Sequence, residues 1–71
     1  MSEPVKTRRA EFHAPYGREI RMEDIAHESG MKLLRITIRE GRRFTILDLD
    51  ATTAATWAAH MQDFIDQKPP R

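Results

Sequence analysis

The chain contains no cysteine. That excludes a disulfide framework and a thiolate zinc site, two of the usual staples of a small domain. It also suits a reducing compartment. No apolar run approaches the roughly 20 residues of a membrane span. The N-terminal stretch "MSEPVKTRRAEF" has basic residues but lacks the apolar centre of a signal peptide. The expectation is therefore a cytoplasmic protein with no membrane partner. Glycine is scarce and scattered, with Gly17, Gly30 and Gly41 each in its own turn, so no glycine-rich loop is available to cradle a phosphate. A strong overall charge is missing too. The net +1 gives no global attraction to nucleic acid or membrane.

What is present is enough for one domain, expected over residues 1–71, with an ordered part of about 5–66 and a frayed tail at 67–71. A chain of 71 residues buries only about 60% of its unfolded surface. Without disulfide or metal, a second copy of the chain is the simplest source of further burial, and a homodimer is expected.

The segment from Val5 to His13, "VKTRRAEFH", alternates poorly and is charged, as edge strands often are. "APYG" follows, with proline second and glycine fourth, which suits a type I turn. "REIRMEDIAHE" reads as a second strand. Ile20 and Met22 alternate, Ile25 falls out of phase, and a bulge near Glu23–Asp24 would restore the register. A helix is the second reading here. Gly30 in "ESGM" closes the segment.

"KLLRITIRE" alternates cleanly, with Leu34, Ile36 and Ile38 on one face and Arg35, Thr37 and Arg39 on the other. Gly41-Arg42 suits a two-residue type II′ hairpin loop. That loop sets Ile38 opposite Thr45, Ile36 opposite Leu47 and Leu34 opposite Leu49. On the other face it pairs Arg39 with Phe44, Thr37 with Ile46 and Arg35 with Asp48. A three-residue loop would instead bring Leu34 against Asp48, so the first register is preferred.

Asp50 is placed to cap a helix by accepting from the N–H groups of Thr52 and Thr53. The helix "ATTAATWAAHMQDFIDQ" carries Ala54, Trp57, Ala58, Met61, Phe64 and Ile65 on one stripe, and Pro69 and Pro70 end it. The fold class is α+β: a four-stranded antiparallel meander followed by one C-terminal helix packed on one sheet face. The stripe, with Trp57 and Met61, is read as the helix's share of a small core.

Chemistry is thin. Asp48 and Asp50 lie two apart and would point the same way on a strand. A hard cation such as magnesium accepts such carboxylates, which would make a metal-dependent enzyme. No third acid stands nearby, however, and each aspartate has a structural task. His13, His27 and His60 have no second ligand at i+3 or i+4. Ser2, Ser29 and the helix threonines lack a nucleophile elbow. No catalytic residue, metal site or cofactor is expected, and the protein is read as non-enzymatic.

The suggestive feature is basic. Lys32, Arg35, Arg39, Arg42 and Arg43 face only Glu40 in the stretch from Lys32 to Arg43. Arg35, Arg39 and Phe44 share a sheet face, with Arg42 and Arg43 at the hairpin tip and Arg21 a candidate to join from the second strand. Arginine beside an exposed aromatic on an open sheet can hold single-stranded nucleic acid. The plainer reading is a solvated face whose arginines pair across strands with Glu19, Glu23 and Asp48.

The stretch "MEDIAHESGMKLLRITIREGRRFTILDLD" and the alanine-rich helix with Trp57 resemble a small bacterial single-domain family of unknown function, a resemblance that implies no activity. In element order the chain is also similar to single-stranded-DNA-binding transcriptional coactivators. That likeness would put Arg35, Arg39 and Phe44 at the DNA. The near-neutral charge and the acids of the second strand depart from such a pattern. The expected function is a binding or accessory module that self-associates and uses Arg35, Arg39, Arg42, Arg43 and Phe44 as the surface for a protein partner. Single-stranded nucleic acid is the alternative ligand.

Overall fold

The computed structural model describes residues 3–70. Ser2 and the last residue of the expected tail, Arg71, lie outside the described residues. Four strands come first: β1 (Val5–Ala14), β2 (Arg18–Ala26), β3 (Lys32–Glu40) and β4 (Arg43–Leu49), followed by helix α1 (Ala51–Ile65). The strands form one open antiparallel sheet in the order β1-β2-β3-β4. The fold is the meander-plus-helix read from the sequence.

The β3–β4 hairpin adopts the two-residue loop. Leu34 pairs with Leu49, Arg35 with Asp48, Ile36 with Leu47, Thr37 with Ile46, Ile38 with Thr45 and Arg39 with Phe44. Gly41 at φ 61° supplies the positive φ that the first loop position of a type II′ turn requires.

Two local expectations are corrected. The bulge sits in β1, not at Glu23–Asp24: β2 pairs residue for residue with β3, whereas the pairing of β1 with β2 shifts between Arg8 and Ala10. Arg9 is the extra residue, and its guanidinium donates to both carboxylate oxygens of Asp24 at 2.8 and 2.7 Å. Ile25 therefore keeps the phase of Arg21 and Glu23. It pairs with Leu33 and is the most deeply buried side chain among the described residues. The first turn is also different. Tyr16, its third residue, has φ 68° and Gly17 follows at φ 73°, whereas a type I turn keeps negative φ at both central residues. Proline at the second position is common in more than one turn type, so it does not discriminate.

Alternation from these registers builds the core face in cross-strand rows. One row runs Thr7, Asp24, Leu34, Leu49; the next Ala10, Met22, Ile36, Leu47; the next Phe12, Ile20, Ile38, Thr45. Ile36 and Leu49 are buried there, and Ile20, Met22, Leu34, Ile38 and Leu47 are half-buried. The helix packs against β3 and β4, where half-buried Ala54 shares a groove with Leu34 and Leu49.

Both ends of α1 are chemically finished. Asp50 accepts from Thr53 N–H at 2.8 Å; hydrogen bonding to the Thr53 side chain, and then to its backbone N–H, holds the Asp50 carboxyl below the ordinary aspartate range. At the other end Lys68 N–H donates to the Asp63 carbonyl and Gln67 N–H to the Phe64 carbonyl. With Gln67 at φ 59°, this is a Schellman closure.

The apolar stripe does not enter a core, which corrects the expectation for Trp57 and Met61. Its exposure rises along the helix, from 37% at Trp57 to 55% at Met61 and 82% at Phe64. No residue of α1 is buried. The chain's longest dimension is 47 Å, beyond the roughly 33 Å of a ten-residue strand. The stripe is long enough to need a surface, and its own sheet offers one only at the first turns.

Candidate partner interface

The face opposite the core rows carries Arg21 on β2, Arg35, Thr37 and Arg39 on β3, and Phe44, Ile46 and Asp48 on β4, each placed by strand alternation. The clean alternation of β3 sends every second residue here, and three of them are Arg35, Thr37 and Arg39. Phe44 and Ile46 are 60% and 57% exposed. Strand β4 thus puts large apolar side chains on a face that its own helix does not use.

Most of the arginine charge on this face is answered. Arg35 donates from Nε and Nη2 to the two carboxylate oxygens of Asp48 at 2.9 and 3.0 Å. The two residues are direct cross-strand partners, and theirs is the least exposed ion pair among the described residues. Hydrogen bonding to Arg35 holds the Asp48 carboxyl below its usual value, and Asp48 in turn raises the guanidinium. Arg39 reaches Glu19 at 3.4 Å and donates to the Gly41 carbonyl at 3.0 Å. Its guanidinium lies 6.0 Å from the centre of the Phe44 ring, within cation–π range. Arg21 is 3.6 Å from Glu11.

The five residues expected at the surface therefore separate. Arg39 and Phe44 come together as a stacked pair. Arg35 is locked to Asp48. Arg42 and Arg43 stand at the hairpin tip with no ion-pair partner among the described residues. Arg21 joins the face from β2 as the sequence suggested, but sequence reasoning missed Glu11; the two line a shallow recess of roughly 260 Å³ with Glu19, Thr37, Arg39 and Phe44. The β1–β2 register carries that information, and the weak alternation of β1 hides it. Reasoning from sequence also missed Tyr16, 93% exposed at a strained position with the Arg18 guanidinium 5.8 Å from its ring.

The aspartate pair has divided its labour. Asp48 gives both oxygens to Arg35 and Asp50 caps the helix. Among the described residues no three His, Cys, Asp or Glu side chains gather as metal ligands. Nor is any described helix long and apolar enough to cross a membrane.

No curated protein and no solved structure gives a significant match. The likeness to DNA-binding coactivators thus rests on element order alone. A family model does match, over residues 3–67, nearly the whole chain. The protein belongs to the family of unknown function DUF6967.

Proposed function

We propose that this chain is a non-enzymatic interaction module that works as a self-associated unit. It offers the sheet face of Arg39, Phe44 and Ile46, with Arg42 and Arg43 at its tip, to a protein partner. The observation that carries this reading is the amount of large apolar side chain left open on a domain with so few buried residues. Phe44 and Ile46 on the sheet, and Met61, Phe64 and Ile65 on the helix, are all exposed, while the buried hydrophobic residues are Ile25, Ile36 and Leu49. Contiguous exposed apolar area rimmed by charge marks interaction surfaces. Arginine and aromatic residues are enriched at such interfaces.

The test is site-specific photo-crosslinking in cells. A benzoylphenylalanine placed at Phe44 is expected to give an adduct with another protein. The same probe at Thr45, on the core face, is expected to give at most an adduct between two copies of this chain. The Phe44 adduct should vanish in Arg39→Glu/Arg42→Glu. Adducts that are equal at both positions, or absent at Phe44, would sink the sheet face as a partner surface.

Single-stranded nucleic acid is the second reading, favoured by the Arg39–Phe44 stack and the two unpaired tip arginines. Against it, Arg35 and Arg39 are already paired with acids. Titration of labelled single-stranded DNA and RNA separates the two. Phosphate neutralisation makes affinity fall steeply with salt. Absence of binding at low salt, in both the wild type and an Arg35→Ala control, ends this reading.

A further inference from the structure

The self-association proposed above has a definite geometry. We propose that two copies pair around a two-fold axis through α1. Each helix lays its stripe of Trp57, Met61, Phe64 and Ile65 across the part of the core face that the other copy's helix leaves open.

The first support is area. The chain exposes 6245 Å² at a mass of 8.3 kDa. A compact monomer of that mass exposes about 4,600 Å². The excess, roughly 1,600 Å², is about twice the ~800 Å² that each partner gives to a standard interface, and it fits an obligate dimer. The radius of gyration agrees: 14.4 Å against about 11 Å for a globular chain of this length.

The second support is complementarity between two parts of the same chain. The sheet lacks a covering layer over the rows Ala10, Met22, Ile36, Leu47 and Phe12, Ile20, Ile38, Thr45, where Phe12 is exposed and Ile20, Met22, Ile38 and Leu47 are only half-buried. The helix lacks a surface for Met61, Phe64 and Ile65. Neither the rows nor the stripe carries a charged side chain, so nucleic acid or an ionic ligand has nothing to meet there. One two-fold operation covers both deficits at once, with the same patches on both subunits. The occupant must also be at hand whenever the chain is folded, because three buried hydrophobic residues among those described, Ile25, Ile36 and Leu49, make a very small core. A second copy meets that condition by itself.

The experiment is sedimentation equilibrium on three full-length chains: wild type, Met61→Glu/Phe64→Glu and Ile46→Glu. Placing two unpaired carboxylates in an apolar interface weakens dimerisation on the order of a hundredfold or more. Wild type and Ile46→Glu are expected to be dimers, and the helix variant a monomer at the same concentration. A monomeric wild type at 100-fold dilution steps up to the millimolar range (about 1 mM) overturns both the geometry and the self-association. A dimer broken by Ile46→Glu but not by the helix variant overturns the geometry alone.

Should the helix variant fail to fold, the cysteine-free chain permits a second measurement. Chains carrying Met61→Cys are mixed with chains carrying Ile20→Cys, and a short bismaleimide is added. A crosslinked heterodimer supports the exchange of helices. Crosslinking within one chain that carries both cysteines, without any between chains, shows the helix closing on its own sheet and overturns the proposal.

Discussion

The sheet and the helix of this protein are completed to different degrees. In the sheet every strand is paired, and the arginines of the face opposite the core find carboxylates across the ladder, at Arg35–Asp48, Arg39–Glu19 and Arg21–Glu11. The helix is equally complete along its backbone, with Asp50 at one end and a Schellman closure at the other. Its side chains are not: none is buried. Local chemistry can finish the hydrogen bonding of an element without giving its apolar side chains a place. An amphipathic stripe states that burial is needed and leaves open where it occurs.

Four substitutions press on this contrast. The largest effect falls in the sheet. Ile36→Ala removes one of the few buried side chains, and large-to-small core changes of this kind cost about 2–5 kcal/mol. For a small domain that is much of the total stability, so urea denaturation should show a population largely unfolded at room temperature.

Next comes Asp48→Asn, which takes the carboxylate from Arg35. It should lower the urea midpoint at neutral pH and make stability less sensitive to acid. The sign follows from the shifts. Asp24, Asp48 and Asp50 are all lowered, by hydrogen bonds to Arg9, Arg35 and Thr53 respectively. Their contribution is complete above the unfolded value near 4 and is lost as pH falls through the lowered folded values. The wild type should therefore weaken below about pH 4, and Asp48→Asn should lose less over the same interval. An unchanged acid limb in circular dichroism melts would remove the pair from that account.

The helix should respond less. Asp50→Ala strips the N-cap and is expected to lower the melting temperature by a few degrees. The smallest change has the opposite sign. Gln67→Gly relieves a positive φ that costs a side chain about 1 kcal/mol, so the variant should melt slightly higher. A lower melting point would mean that the Gln67 side chain contributes something the closure alone does not explain.

The legible parts of the fold had strong local signals. Gly41 fixes the hairpin loop, the loop fixes the register, and the register fixes the facing of Arg35 with Asp48 and of Arg39 with Phe44. Asp50 before an alanine- and threonine-rich run reads as a cap. The bulge at Arg9 was not legible, because a charged edge strand has no alternation for an extra residue to interrupt. The turn type was not legible either, since tyrosine gives no hint of a positive φ. At the candidate interface, residue types indicated which side chains share the face. They also indicated that Arg35 would meet Asp48, as it does, but not that Arg42 and Arg43 would be the arginines without an ion-pair partner among the described residues.

The order of strands has a consequence in time. Each strand pairs with the one next to it in sequence, and the loops between them are short. No distant segments have to find each other, so the meander has low contact order and should form quickly, hairpin upon hairpin. In the proposed dimer the cover for α1 comes from another molecule. Refolding should thus begin with a rapid phase indifferent to concentration and end with a slower one whose rate rises with the number of chains in solution.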